Sequence, residues 1–275
     1  MPMLKIALCQ MMCSRKKTME ENKAENWATA ARLVDEAAAN GAQMVVLPEI
    51  WNCPYTNKCF EPYSETEDGE TVKLMSEWAK KNGIYLIGGS IPENRNGKIY
   101  NTCFVFDREG NIIAKNSKTH LFDINVPGKI KFMESEVLTP GDGATVFDTE
   151  YGRMGVAICF DVRFSAFIQK MADDGAKLIF LPASFNMTTG PAHWDISMRM
   201  RAIDNQIFFA ACAPARCTES SYVGYGNSCV ADPWGDFIAH ADETEQILYA
   251  DIDFDRIEEV REQLPIVRNR RPELY

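Results

Sequence analysis

The feature that most constrains this chain is a pattern that occurs twice. NGAQMVVLPE at 40–49 is paralleled by DGAKLIFLPA at 174–183, each with Gly-Ala, one polar residue, four apolar residues and a proline. A continuous β-rich run closed by proline reads as a strand buried on both faces. LKIALCQ at 4–10 reads as another buried strand. It leads to an alanine-rich helix from a capping box at Thr18-Met-Glu-Glu21 to about Ala39, which Asn40-Gly41 stops. GRMGVAICFD at 152–161 has the composition of that first strand and is followed by a helical segment from Phe164 to Met171. Two βαβ-like units about 130 residues apart imply two pseudo-equivalent halves in one body, with sheets face to face and helices outside.

The rest of the chain fits that α/β plan. Val72, Met75, Trp78 and Ala79 set a helix over about 70–82, and strands are expected at 84–90, 100–107 and 111–116. Residues 119–145 lack periodicity and read as an extended excursion rather than a linker. A helix from near Pro191 carries Trp194, Met198 and Ala202, with Trp194 read as core or subunit packing. Strands follow at 207–213, 225–231, 235–240 and 247–252, then a helix over 255–263 capped by Asp255-Arg-Ile-Glu258 and stopped by Pro265. The expectation is a single domain over 1–275 with a C-terminal tail at about 264–275. GxGxxG and GxxxxGK[ST] are both absent, which argues against dinucleotide and nucleoside triphosphate chemistry.

Twenty-nine basic residues against 39 acidic ones give a net charge of −10. That field repels phosphate backbones and anionic lipid, so neither nucleic acid nor a membrane is an expected partner. No window approaches the ~20 apolar residues of a membrane span. The opening MPMLKIALCQMMC lacks the marks of a secretory signal. Nine scattered cysteines without a CxxC pair, and three histidines, imply a reduced intracellular protein with no metal and no cofactor. The cytoplasm is the expected location, with room for a mitochondrial pool.

Three polar residues lie where apolar runs end: Glu49 after MVVLP, Lys118 after the strand at 111–116, and Cys159 after GVAI. In α/β folds the carboxyl ends of strands form the usual ligand crevice. Each residue alone has a mundane reading, as a solvent-facing carboxylate, a surface ammonium or a core thiol. Together they meet a chemical requirement. A thiolate attacks, a carboxylate moves the proton, and an ammonium with a backbone N–H beyond the nucleophile holds the oxyanion. His120, His193 and His240 leave a Cys–His site open as an alternative, and Cys9 and Cys13 leave simple redox sensing open.

Several segments resemble the nitrilase superfamily, and more closely its omega-amidase branch, the nitrilase homologue 2 family of animals. They are LPE at 47–49, KTHLFDI at 118–124, VPGKIKFMES at 126–135, GVAICFDVRF at 155–164, FNMTTGPAHW at 185–194, RAIDNQ at 201–206, DPWG at 232–235 and the ending RRPELY. The resemblance implies a four-layer αββα sandwich and a homodimer. It implies Glu49 as general base, Lys118 as charged oxyanion partner, Cys159 as nucleophile and Glu134 as a second glutamate orienting the lysine. It also implies that the Phe160 N–H completes the oxyanion hole, although the family has tyrosine at that position, so a phenol hydroxyl is lost here. The implied reaction is amide hydrolysis of 2-oxoglutaramate or 2-oxosuccinamate through a Cys159 thioester. A small anionic substrate asks for a cation, for which Arg163 is the candidate; Tyr55, Phe185, Met187 and Thr189 are candidate pocket walls. A deaminated glutathione amidase or N-carbamoyl hydrolase would use the same centre, and an inactive scaffold would keep only the fold.

Overall fold

A computed structural model of the chain describes residues 3–274; the ending's Tyr275 lies outside the described residues. The first half runs β1 (Leu4–Gln10), α1 (Met19–Ala39), β2 (Met44–Val46), α2 (Asn57–Tyr63), α3 (Glu70–Asn82), β3 (Tyr85–Ile87), β4 (Ile91–Arg95), β5 (Lys98–Phe106) and β6 (Ile112–Ser117). A small hairpin, β7 (Asp123–Val126) and β8 (Ile130–Met133), bridges to the second half. That half runs β9 (Thr145–Thr149), β10 (Gly152–Val156), α4 (Ser165–Asp173), β11 (Leu178–Pro182), α5 (Gly190–Asn205), β12 (Phe208–Cys212), β13 (Cys229–Ala231) and β14 (Phe237–His240). The chain then returns to the first sheet with β15 (Gln246–Ile252) before α6 (Asp255–Gln263).

Two sheets form the centre. The first is ordered β15-β1-β2-β3-β5-β4, with β6 on β5; the second is ordered β9-β10-β11-β12-β13-β14. In both, three parallel strands are flanked by antiparallel ones. Side-chain alternation along each strand builds the layers. Ile6, Leu8, Met44 and Val46 share one continuous core with Met154, Val156, Leu178 and Phe180 of the opposite sheet. On the far face of the first sheet, Ala7, Val45, Leu86 and Phe104 pack on Leu33 and Val34 of α1 and Met75 and Trp78 of α3. On the second sheet, α4 and α5 supply Ile168, Met171, Met198, Ala202 and a fully buried Trp194. The result is the expected αββα sandwich.

Differences from expectation are local. The strands expected at 44–49 and 152–161 end earlier, at Val46 and Val156, because the chain turns away to present the residues that follow. A 3-10 turn, Cys159–Arg163, precedes α4. The excursion at 119–145 contains the β7–β8 hairpin, and α2 and β4 carried no periodic signal, each having an internal proline (Pro62, Pro92). Pro92 is tolerated because β4 lies at the sheet edge. At α6 the cap position is Phe254, one residue earlier than expected, and Asp253 accepts the Asp255 N–H at 3.0 Å. The tail docks through Arg270, which reaches Asp173 at 2.9 Å and the Asp204 carbonyl at 2.6 Å. Among the described residues no helix is long and apolar enough to cross a membrane.

Candidate active site

Glu49 lies three residues past β2 and Cys159 three past β10, on strands of different sheets. Backbone geometry turns each outward. Cys159 itself has φ +45°, and Ile50, next to Glu49, has φ +49°, a left-handed region costly for side chains with a Cβ. The Ile50 turn is braced by its N–H to Ser90 Oγ at 3.0 Å and by Trp51 Nε1 to the Gly88 carbonyl at 2.8 Å. Gly89 closes this packing, since a Cβ there would stand 2.2 Å from the Pro48 carbonyl oxygen. Lys118 follows β6 directly, and Glu134 opens a short 3-10 turn after β8.

These elements bring the four together. Lys118 Nζ donates to Glu49 Oε1 and to Glu134, each at 2.9 Å, with all three side chains fully buried. The remaining oxygens are also satisfied, as buried charge requires. Glu49 accepts from Asn101 Nδ2 and the Ser184 N–H, both at 2.8 Å. Glu134 accepts from the Phe122 N–H and the Tyr55 hydroxyl, both at 2.7 Å; that hydroxyl lies 3.1 Å from Glu49 Oε1. Burial works to strip Lys118 of its proton, but the Glu134 and Glu49 charges outweigh it and hold the ammonium well above its ordinary range. Burial, with the Glu49 charge adding, pushes the Glu134 carboxyl up against the pull of Lys118. Burial also drives the Cys159 thiol well up; Glu49 adds to this and Lys118 opposes it. Cys159 is therefore held as a thiol, and of the carboxylates around it Glu49 weighs on it most.

Phe160 stands just past Cys159. The first hydrogen bond of its turn runs from the Asp161 N–H to the Ile158 carbonyl, at 3.0 Å, so the Phe160 N–H precedes the bonded run. Its ring packs edge-on against Phe122 and Phe164. A narrow cleft is lined by Cys159, Phe160, Arg163, Phe185, Thr189, Phe122, Ser184 and Tyr222. Arg163 is half-buried there, over the Phe185 ring at 4.9 Å, with no carboxylate partner among the described residues. Burial weakens the hold of its guanidinium on its proton. Met187 departs from expectation: its side chain is exposed and does not line this cavity, because the turn from Asn186 to Gly190 carries it outward. Tyr55 lines instead an adjoining cavity on the Glu49 side, with Cys13, Arg15, Cys53, Cys217 and Tyr222.

Three contributors escaped sequence reading. Asp161, fully buried, accepts from the Ile158 N–H at 3.0 Å and from the N–H and Nδ1 of His120 at 2.9 and 2.8 Å, tying the nucleophile's turn to the lysine's segment. His120 thus sits beside Asp161 rather than beside the thiol. Tyr222 stacks on Tyr55 with ring centres 4.6 Å apart and donates to the Ser184 carbonyl at 2.7 Å. Asn101 braces Glu49 from mid-β5. The adjacency of Asp161 to Cys159 was a usable signal; nothing in the loop around Tyr222 was. Among the described residues no cluster of three or more His, Cys, Asp or Glu is placed to hold a metal.

Comparison with known proteins gives a consistent result. The carbon-nitrogen hydrolase family profile matches residues 5–262. The chain is 52 % identical over 253 residues to omega-amidase NIT2-B of Xenopus laevis, covering 92 % of each. It is 50 % identical to nitrilase homolog 2 of Dictyostelium discoideum, over 98 % of this chain and 81 % of that one. Among solved structures, Nit3 of Saccharomyces cerevisiae, a member of branch 10 of the nitrilase superfamily, superposes with a TM-score of 0.88 at 39 % identity, covering 98 % of this chain and 97 % of that one.

Proposed function

The chain belongs to the carbon-nitrogen hydrolase family, and on that premise we propose that it is an omega-amidase acting on 2-oxoglutaramate or 2-oxosuccinamate through Cys159. The observation that carries the mechanism is the buried Lys118 ammonium held 2.9 Å from both Glu49 and Glu134, with Glu49 bonded to the N–H of Ser184, which lines one cavity with Cys159. Cys159 passes its proton to Glu49 and attacks the terminal carboxamide. The oxyanion forms between Lys118 and the Phe160 N–H, where fixed donors in a dry site act most strongly. Ammonia leaves with the proton from Glu49. Glu49 then deprotonates a water that opens the thioester and releases the 2-oxo dicarboxylic acid. Glu134 and Tyr55 fix the lysine and the base. Arg163 takes the remote carboxylate, and Phe185 and Thr189 shape the acyl pocket. No step calls on a metal or cofactor.

Ammonia release from 2-oxoglutaramate, measured beside glutamine, a carbamoyl amino acid and deaminated glutathione, tests this. Turnover of the first, lost in Cys159→Ala, is expected; preference for another amide overturns the substrate, and unchanged turnover in the variant overturns the nucleophile.

The same reading includes a homodimer. Its support is α5, which exposes Ile196 (70 %) and Met200 (44 %) one turn apart on its outer face; a monomer mass by light scattering would exclude it. The nine free cysteines suit a reducing compartment such as the cytoplasm, with a mitochondrial pool, which cell fractionation checks.

A further inference from the structure

The Glu49-side cavity is bordered by two segments that leave their strands side by side. The chain after β1 and the chain after β12 keep a constant offset across this border. The Ala215 N–H donates to the Met11 carbonyl at 2.9 Å. Four residues further along each segment, Arg15 forms an ion pair with Glu219. Midway between these two contacts, at the same offset, stand Cys13 and Cys217. Both are half-buried, both carry free thiols, and both line the cavity. Cys13 and Cys217 also act on one another electrostatically, and Arg15 sets a positive charge against the Cys217 sulfur.

We infer that Cys13 and Cys217 form a reversible disulfide that draws together the walls of the Glu49-side cavity. The oxidant is a low-molecular-weight disulfide. The Cys217 sulfur, as thiolate, attacks one sulfur of that disulfide; the new S–S bond forms as the old one breaks, and the departing thiolate takes up the proton. The Cys13 sulfur, giving up its proton, then attacks the Cys217 sulfur of the mixed disulfide and expels the second small thiol. Two protein thiols are oxidised and one disulfide is reduced to two thiols. An intracellular disulfide of this kind is a transient, sensing bond rather than a staple.

The consequence follows from what the second segment carries. Beyond Cys217 it leads to Tyr222, which stacks on Tyr55 and whose hydroxyl bonds the Ser184 carbonyl, between the two cavities. Closing two non-bonded sulfurs to the ~2.05 Å of a disulfide narrows the route to Glu49 and anchors that segment. Cys53 lines the same cavity but is fully buried and outside the paired register, and Cys9 faces the α1 side of the first sheet.

The test incubates the full chain with oxidised glutathione, blocks remaining thiols, and maps linked peptides without reduction. The expected result is a Cys13–Cys217 linkage with most of the kcat/KM lost, restored by dithiothreitol. Cys13→Ser should instead stop at a glutathione adduct on Cys217, and neither Cys13→Ser nor Cys217→Ser should yield an internal cross-link. A linkage through Cys53 or Cys9, no linkage, or a Cys13–Cys217 linkage with unchanged kinetics each overturns the inference. The kinetic arm rests on the amidase reading, whereas the peptide map does not, so an enzyme silent before oxidation would count against that reading alone.

Discussion

The two halves of the molecule are built alike and equipped differently. Ile6 of β1 pairs with Met44 of β2, as Met154 of β10 pairs with Leu178 of β11. Followed residue by residue from those pairs, Cys159 falls where the first half has Met11, and Glu49 falls where the second half has Ala183. One half presents Cys159, the other presents Glu49 with Lys118 behind it, and the bridging hairpin adds Glu134. The edge strand differs as well. β9 pairs with β10 as a local hairpin, but its counterpart beside β1 is β15, which arrives from the far end of the chain. A duplicated scaffold thus gives two equivalent strand ends, and their chemistry was divided between them rather than repeated.

The sharpest way to break this comparison is to move the nucleophile to the other half. In Cys159→Ala, kcat should fall by about 10⁴-fold or more, in line with the loss of a covalent nucleophile elsewhere. Adding Met11→Cys should restore nothing, since Met11 is buried in the outer core with Trp51 and Val45 and does not face the lysine. Recovery of ammonia release in the double variant would mean that the halves are interchangeable.

A second test asks whether the halves are one folding unit. Leu8 and Leu178 come from opposite sheets and lie fully buried in the same cluster. Leu8→Ala and Leu178→Ala should each cost about 2–5 kcal/mol and each lower one shared transition in thermal or urea melts. Two separable transitions would show that the crossover of β15 does not fuse the halves into a single domain.

The architecture was legible because it is periodic. The LPE and LPA runs, the Val72–Ala79 stripe and the Thr18 cap each state a local preference, and the helices α1 and α3 stand where those preferences put them. The site was legible only in part. Glu49, Lys118 and Cys159 were marked by their position at the ends of apolar runs, but Glu134 lay in an aperiodic stretch and was reached through family resemblance alone. Tyr222 and Asn101 had no signal, since they reach Ser184 and Glu49 only through contacts made when distant segments fold together. Met187 failed for the converse reason: a neighbour in sequence to Phe185, it is turned out to solvent.

Asp161 sharpens the comparison at a smaller scale, because its carboxylate is hydrogen-bonded both to the turn of Cys159 and to the segment of Lys118. Asp161→Asn should lower kcat by up to about 10²-fold, the cost of a displacement near 1 Å among reacting groups, with KM little changed. His120→Ala should do less, since the His120 N–H keeps its 2.9 Å bond to the carboxylate. Equal losses in steady-state kinetics would shift the role from Asp161 to the imidazole.

The smallest expected effect concerns two arginines at matching distances past the strand ends. Arg15 stands four residues beyond Met11, and Arg163 four beyond Cys159. Arg15 is engaged by Glu219. Arg163 is half-buried beside Cys159 and among the described residues bonds the His193 ring alone, at 3.2 Å, which leaves its fork available to an incoming carboxylate. A planar guanidinium binds a carboxylate through two parallel bonds that an ammonium cannot reproduce. Arg163→Lys should therefore raise KM for 2-oxoglutaramate by about tenfold, one charge-assisted bond at roughly 1.4 kcal/mol, with kcat close to unchanged. An amide of the same length without the carboxylate should not sense the substitution. If both substrates weaken together, Arg163 is holding the pocket wall through Phe185 and Phe160 rather than reading the charge, and the matched arginines differ only in what they brace.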